Sequence, residues 1–331
     1  HYPYRLIVTD APHIDFIDPP AGPHGSTGKF KIYGRNLPGG SPGEGIRLGH
    51  EELESIEVEI PLNHEDALEL ETGGIYSSLV PGMTWRLELN GRRSNPIRIG
   101  FSRFPVIEEN EGQEQAIQIP SETHARFDSK GDLDQYRFEA KEGQPLWIEC
   151  IASRIRAGSD PVLWIDRVTV DAEGIESFKE ITGNDDSGGN PGGLNFPLQN
   201  HDCSLLFTPP SDGIYRLRIH DYTGGGSPAD LYRLIIHPGA PDYDLLTTAW
   251  YAAPEKATKA ISRYSAVIRR GGTTLLRVFA IRRNGFKNSI SLSVEGLPNG
   301  IECPPVILPA GKDSATLVLY GTKEVENWQG F

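Results

Sequence analysis

The sequence predicts an all-β protein made of three tandem β-sandwich domains. Turn-forming residues are abundant, with 37 Gly and 26 Pro among 331 residues, and both residue types mark turns and loops. Short apolar runs recur between these turns. In the run 274–280 the side chains alternate with a period of two, as in a half-buried strand. Residues 255–263 could form a helical turn or two, but they carry no strong apolar stripe.

Ten short runs of β-favouring residues separated by turn clusters predict strands. In chain order they are residues 29–33, 55–60, 84–89, 134–139, 145–151, 214–219, 232–236, 274–280, 289–294 and 314–319. This regular alternation of short strands and turns is typical of an all-β fold.

An internal repeat predicts the domain boundaries. Residues 4–8 and 232–236 read Tyr-Arg-Leu-Ile followed by Val or Ile, and each copy precedes an Ala-Pro pair and an Asp. The second copy ends one domain and leads into the next, so we expect residues 1–11 to be the remnant strand of a preceding domain. The predicted domains are then 12–102, 103–240 and 241–331. We expect the third to lack its last strand, because only a polar loop follows residue 320.

The charge balance restricts the partners of the chain. Its net charge is −13, which argues against nucleic acid, because binding there depends on basic residues that release counterions from phosphates. No stretch approaches the roughly 18 apolar residues of a membrane helix. We expect a monomer without a membrane span, whose partner is an extracellular polymer or a cell-surface protein.

Three cysteines, Cys150, Cys203 and Cys303, do not form a disulfide framework by themselves. Cys150 and Cys203 lie in apolar, strand-like runs, so two interpretations stay open: buried free thiols or a bridge between them. No Cys-x-x-Cys pair occurs, which argues against a zinc site.

The sequence contains fragments of two catalytic motifs, but each lacks a part that the chemistry requires. Residues 39–43 match Gly-x-Ser-x-Gly as text, but Pro42 and further loop residues follow instead of the helix that a nucleophile elbow needs. His50 and His64 lack the second His of a His-Glu-x-x-His zinc motif. We therefore expect no catalytic residues and no enzyme activity.

Three segments resemble known extracellular domain families. The first resembles the immunoglobulin-like TIG (IPT) domain, with a Pro-containing strand at 14–20, a Gly-rich turn and a strand leading into Gly34 and Leu37. The third resembles bacterial Ig-like modules through 289–301, 308–311 and 314–317. The second resembles the bacterial prepeptidase C-terminal (PPC) domain, which also serves as the collagen-binding module of clostridial collagenases. Its matching stretches are 108–111, 116–120, 131–138, 141–143, 160–163, 184–189, 212–217 and 232–234.

These resemblances imply immunoglobulin-like or jelly-roll-like sandwiches in a large secreted protein of the planctomycete type. In the PPC family an acidic linker and a following Asp-containing turn bind calcium, which takes six to eight oxygen ligands. The resemblance places the ligands at Glu108, Asn110, Glu111, Asp132 and Asp134. The spacing of Asp132 departs from the collagenase pattern. The alternative interpretation is a solvated acidic linker beside turn-forming Asp residues.

Two further positions are candidates for binding. The loop containing Asn184, Asp185 and Asp186 has the composition of a second calcium loop, and equally that of an Asx-rich turn. Tyr222, beside Gly224–Gly226, is the aromatic residue we expect to be exposed as a ligand contact.

Three functions compete at this point. The first is a non-catalytic modular segment of a secreted, periplasmic or cell-surface protein, which binds glycan or protein polymers or acts as a calcium-stiffened spacer. The second is the accessory region of a secreted, protease-like hydrolase whose catalytic domain lies outside the chain. The third, a glycan hydrolase using Asp185 and Asp186, would need a deep groove between two acids, which small sandwiches rarely provide.

Overall fold

A computed structural model describes residues 9–63, 79–89, 91–186, 189–193, 196, 198–250 and 266–326. The all-β prediction is confirmed, since the described residues form strands, turns and a short 3-10 turn at Ser153–Ile155. The chain separates into two compact units: one contains the described residues up to 186 together with 200–238, and the other contains those of 189–198 and 239–326. The expected strand remnant at 1–8 and the helical turn at 255–263 lie outside the described residues.

Nine strands form the first sandwich of the first unit. They are β1 (His13–Asp18), β2 (Ala21–Pro23), β3 (Thr27–Arg35), β4 (Ser41–Leu48), β5 (Glu51–Pro61), β6 (Gly82–Trp85), β7 (Glu88–Leu89), β8 (Arg92–Arg93) and β9 (Ile97–Ser102). One sheet has the order β1-β3-β5-β4, and the other has the order β2-β9-β6, while β7 and β8 pair as a hairpin. The predicted strand 84–89 is therefore two strands, because residues 86–87 leave the sheet.

The core of this sandwich follows the alternation of its strands. Phe30 and Ile32 of β3 point inward with Ile60 of β5 and Ile99 of β9, and all four side chains are buried. Lys29 and Lys31 alternate with these two residues along β3 and are more exposed. This is the period-two pattern of a strand with one face on the core.

Gly34 in β3 is required by a close backbone approach. A Cβ atom built on Gly34 would lie 2.0 Å from the backbone oxygen of His13 in the paired strand β1. We expect Gly34→Ala to lower the free energy of unfolding by about 1–3 kcal/mol through overpacking, measured by urea denaturation. Gly158→Ala is the matched control, since its Cβ would meet its nearest atom at an ordinary 3.4 Å. Equal effects of the two substitutions would contradict this account.

Ten strands form the second sandwich of the same unit. They are β10 (Val106–Glu108), β11 (Gln115–Ala116), β12 (Ser121–Arg126), β13 (Leu133–Ala140), β14 (Leu146–Ile151), β15 (Pro161–Val170), β16 (Glu176–Asn184), β17 (Cys203–Phe207), β18 (Gly213–Asp221) and β19 (Leu231–Pro238). The two sheets have the orders β10-β12-β19-β14-β17 and β11-β13-β18-β15-β16. Their inner faces enclose a continuous core of aromatic and aliphatic side chains.

A buried ion pair of the second sandwich also contacts the first sandwich of the same unit. Arg233 of β19 donates from Nε to Oε1 of Glu122 in β12 at 2.8 Å, and from Nη2 to the carbonyl oxygen of Phe101 in β9 at 3.1 Å. Arg233 and Glu122 are only 2% and 0% exposed. A Cβ on Gly100 would lie 2.3 Å from Nη1 of Arg233, so this glycine makes room for the guanidinium.

The charge on Glu122 is held in place by its partners. Burial alone would raise the pKa of Glu122, but a hydrogen bond with His124 at 2.8 Å and the nearby Arg233 lower the pKa to about 2. An apolar cluster of Phe16, Tyr33 and Leu53 from the first sandwich with Leu231 of the second lies in the same unit. The predicted division at 102/103 therefore falls between two sandwiches that share buried contacts; as a domain boundary it stays a prediction.

The second unit contains the remaining strands. They are β20 (Asp242–Ala249), β21 (Thr273–Arg283), β22 (Ile290–Leu292), β23 (Ile301–Glu302), β24 (Val306–Leu308) and β25 (Ser314–Gly321). One sheet has the order β20-β21-β25-β23, and β22 pairs with β24. Val278 and Ala280 of β21 pack with Leu317 and Leu319 of β25 in its core. Whether a final strand is missing stays a prediction.

Candidate metal centre

Five carboxylates converge near one end of the second sandwich. Glu109 and Glu111 lie in the segment between β10 and β11, Asp128 and Asp132 lie in the turn between β12 and β13, and Asp134 lies on β13. Glu109 is within hydrogen-bonding reach of Asp134, and Glu111 is within reach of Asp128. The electrostatic field of Asp132 and Asp128 also acts on Asp134. These residues therefore form one acidic group, which we call the carboxylate cluster.

Strand pairing brings the two halves of the carboxylate cluster together. β10 runs parallel to β12, with Glu108 opposite His124, so Glu109 follows at the end of β12 where Arg126 donates its backbone N–H to Oε2 of Glu109 at 3.2 Å. The turn after β12 is closed by Asp132, whose carboxylate accepts the backbone N–H groups of Asp128 and Leu133 at 2.8 and 2.9 Å. Such side-chain to backbone bonds are the usual role of Asp in a turn.

Two buried tyrosines support the carboxylate cluster from the core. Tyr232 donates its hydroxyl to Oδ2 of Asp134 at 2.6 Å, and Tyr136 donates to Oε1 of Glu109 at 3.2 Å. The two hydroxyl oxygens lie 2.7 Å apart. Because both tyrosines are almost fully buried, this hydrogen-bond network holds the carboxylates of Asp134 and Glu109 from the core side.

Burial and neighbouring carboxylates raise the pKa values of three members of the cluster. Burial, followed by the proximity of Asp134, raises the pKa of Glu109 to about 9. Burial and repulsion by Asp128 raise the pKa of Glu111 to about 7. Burial raises the pKa of Asp134 to about 6, although hydrogen bonds with Glu109 and Tyr232 oppose the increase. Carboxyl groups near one another cannot all ionise without cost, so this cluster favours bound protons or a bound cation.

Three of the five ligands predicted from the sequence lie in the carboxylate cluster: Glu111, Asp132 and Asp134. The other two lie on the adjoining segment with different partners. Glu108 accepts a bond from Nε2 of Gln115 at its backbone oxygen, and the Asn110 side chain donates to Oε1 of Gln113 at 3.5 Å. Sequence reasoning missed Glu109 and Asp128 as members. The complete ligand set stays a prediction.

The carboxylate cluster supplies the type of donor that a hard divalent cation takes, but its members approach one another as neighbouring pairs. Among the described residues, the three donor atoms that all lie within 4.8 Å of one another belong instead to Asp160, Asp186 and His201. The side-chain donors of the carboxylate cluster are all oxygen atoms, which calcium prefers, and main-chain carbonyls or waters usually complete a calcium shell of six to eight ligands. Nε of Arg126 lies 3.5 Å from Oδ1 of Asp128, so this guanidinium offsets part of the negative charge of the cluster.

The second predicted calcium loop lies close to other potential ligands. Asn184 donates its side-chain amide to the Ser204 carbonyl oxygen at 2.6 Å and accepts the backbone N–H of Asp186 at 3.2 Å, as in an Asx turn. Single donor atoms of Asp160, Asp186 and His201 lie within 4.8 Å of one another. This set mixes oxygen and nitrogen donors, whereas calcium sites use oxygen. Asp185 contributes only a long-range field to Asp160, and calcium here stays a prediction.

Tyr222 is the exposed aromatic residue that the sequence indicates. Its side chain is 67% exposed, while its backbone N–H donates to the Asp160 carbonyl oxygen at 2.7 Å. Its role as a ligand contact stays a prediction. Across the described part of the chain, no helix has the length and apolar character needed to cross a membrane.

Comparisons with known proteins give structural similarities only. No protein-family model matches the chain, and no curated protein matches it. Among solved structures, the chain is similar to the pre-peptidase C-terminal domain of a collagenase from Bacillus anthracis, with 12% identity, a TM-score of 0.27 and coverage of 39% of this chain and 98% of that one. It is also similar to CorA, a surface-associated copper-binding protein of Methylomicrobium album BG8, with 12% identity, a TM-score of 0.24 and coverage of 41% and 98%. The TIG-like and Ig-like identities of the flanking segments stay predictions.

Proposed function

We propose that the chain is a non-catalytic modular segment of a secreted or cell-surface bacterial protein, in which calcium stiffens the connection between its first two sandwiches. The observation that carries this proposal is the carboxylate cluster. Glu109 and Glu111 lie between β10 and β11, on the segment by which the chain enters the second sandwich, whereas Asp128 and Asp132 lie in the turn after β12 and Asp134 lies on β13. An ion shared by both groups would fasten this entering segment to the later strands of the second sandwich.

Arg126 extends the argument to the first sandwich. Its backbone N–H binds Glu109, and its guanidinium pairs with Asp18, which ends β1 of the first sandwich. A cation in the carboxylate cluster would compensate the carboxylates there and leave the Arg126 side chain to Asp18. Calcium binding and the contact between the sandwiches would then support each other, which is the property expected of a stiff spacer between extracellular domains.

The proposal predicts a calcium-dependent gain in thermal stability. A ligand that binds only the folded state stabilises it by about 2.7 kcal/mol at 100 times its Kd. We expect calcium to raise the melting temperature of the EDTA-treated chain near neutral pH, as followed by circular dichroism. Asp134→Asn should remove most of this increase, because it deletes one buried carboxylate that Tyr232 holds in place.

Glu173→Gln provides the matched control for this experiment. It also removes one negative charge from the second sandwich, but Glu173 lies in the exposed turn between β15 and β16, and these strands carry it to the end opposite the carboxylate cluster. The control should keep the full response to calcium. If the unaltered chain shows the same melting temperature in calcium and in EDTA, the proposed function is wrong.

A further inference from the structure

Two of the three cysteines face each other across neighbouring strands. Cys150 of β14 lies directly opposite Cys203 of β17 in an antiparallel pair. Both side chains are completely buried in the core of the second sandwich, and both are free thiols. Cys303, the third cysteine, lies in the other unit and is partly exposed. The sequence left open whether the first two are bridged.

The strand register suits a covalent bond between these two residues. Directly opposed residues of antiparallel strands have Cα atoms about 4.5–5.5 Å apart, and disulfides span Cα distances of about 4.4–6.8 Å. Both thiols point to the same face of the sheet and are within hydrogen-bonding reach of each other. A bond therefore needs no displacement of either strand.

We propose that Cys150 and Cys203 form a cross-strand disulfide when the chain folds in the presence of a small-molecule disulfide such as oxidised glutathione. One thiolate attacks the glutathione disulfide and releases one glutathione thiol. The second cysteine then attacks this mixed disulfide and releases the other. Two S–H bonds of the chain and one S–S bond of the oxidant are broken, and one S–S bond and two glutathione thiols are formed. The chain loses two electrons and two protons, which the oxidant gains.

The burial of the pair indicates when this reaction takes place. The thiolate is the attacking species, and burial together with the neighbouring Cys203 raises the pKa of Cys150 well above its ordinary value. The native fold therefore suppresses the reaction, and we expect the bond to form before β17 closes against β14. Once formed, the disulfide would be shielded from reductants in solution by the same core.

The bond would secure an edge of the sandwich. β17 is the terminal strand of its sheet and pairs with β14 alone. The chain between the two cysteines returns through Asp202, whose buried Oδ1 accepts the backbone N–H groups of Ala152 and Ser153 at 2.8 and 2.6 Å. A Cys150–Cys203 bond would thus close this loop covalently at the point where Asp202 already closes it by hydrogen bonds.

Refolding with and without an oxidant tests the proposal. The full chain is unfolded with a reductant and refolded in EDTA, either with reductant or with a mixture of oxidised and reduced glutathione. Free thiols are then counted in denaturant, and cysteine-containing peptides are mapped by mass spectrometry. We expect three free thiols in the reduced sample, and loss of two of them, with a Cys150–Cys203 linked peptide, in the oxidised sample.

Cys303→Ser serves as the control, because it leaves the opposed pair intact and should lose both of its remaining thiols on oxidation. Three free thiols in a natively folded oxidised sample, a bond that includes Cys303, or glutathione adducts at Cys150 or Cys203 would each overturn the proposal. Because EDTA is present throughout, the result is independent of the proposed calcium function.

Discussion

Arg233→Ala should destabilise the first unit by about 3–5 kcal/mol, the usual result of removing one partner from a buried ion pair. Glu122 would remain fully buried without the guanidinium that compensates its charge. The carbonyl oxygen of Phe101 would lose the hydrogen bond from Nη2 of Arg233. His124 would still contact Glu122 at 2.8 Å. The carboxylate would therefore keep one of its partners rather than lose all compensation of its charge.

Chemical denaturation of three variants would check this expectation. Arg92→Ala is the matched control, since Arg92 pairs with Asp10 at 2.8 Å on the exposed surface of the same unit, where such pairs contribute about 0–1 kcal/mol. The double substitution Arg233→Met with Glu122→Leu removes both charges, and we expect it to be less destabilising than Arg233→Ala. An effect of Arg233→Ala as small as that of Arg92→Ala would contradict the structural role assigned to this pair.

In EDTA, the stability of the chain should fall as the pH rises from about 4 to about 9, because of the carboxylate cluster. The folded-state pKa values of Glu109, Glu111 and Asp134, about 9, 7 and 6, exceed the ordinary values of 4.5, 4.5 and 3.8. Between the ordinary and the raised pKa, the folded state holds protons that the unfolded state has released. The stabilisation from these groups is thus fully present below about pH 4 and is lost as the pH rises through the raised values.

The groups that surround the cluster do not reverse this trend. Burial raises the pKa values of Tyr136 and Tyr232 well above 10.0, so both hydroxyls stay neutral. The negative charges of Asp132 and Asp128 act to raise the pKa of Asp134.

Calcium competes with protons for these carboxylates, so its stabilising effect should be large at about pH 8 and close to zero at about pH 4. Melting curves at both pH values, with EDTA and with calcium, measure this difference. Glu109→Gln mimics the protonated form of Glu109, and in EDTA it should weaken the decline between the two pH values. A calcium effect of equal size at both pH values, or an EDTA decline unchanged in Glu109→Gln, would refute this interpretation.

The strands of the chain were predictable because their signal is local. The runs 134–139 and 214–219 alternate inward and outward side chains in the sequence, and they appear as parts of β13 and β18. Their pairing, which places Tyr136 opposite Leu217, joins residues far apart in the chain. No local pattern encodes that register, so the sequence predicted the strands without predicting their neighbours.

The same distinction explains the partial prediction of the carboxylate cluster. The acidic run 108–111 is visible in the sequence, but the parallel pairing of β10 with β12 decides that Glu109 faces Asp134. Asp128 could have been found from turn chemistry, since Asp128 and Asp132 flank one turn. The burial of Arg233 could not have been predicted from the sequence, because the carbonyl oxygen of Phe101 that accepts its hydrogen bond belongs to a different sandwich.

The contact between Arg233 and Phe101 limits how these sandwiches can be rearranged by recombination. Arg233 lies in the last strand of the second sandwich, but its space is provided by Gly100 and its acceptor by Phe101, both in the last strand of the first. A second sandwich transplanted behind an unrelated domain would carry a guanidinium without this cavity. The two sandwiches should therefore be exchanged between proteins together if this junction is to stay intact.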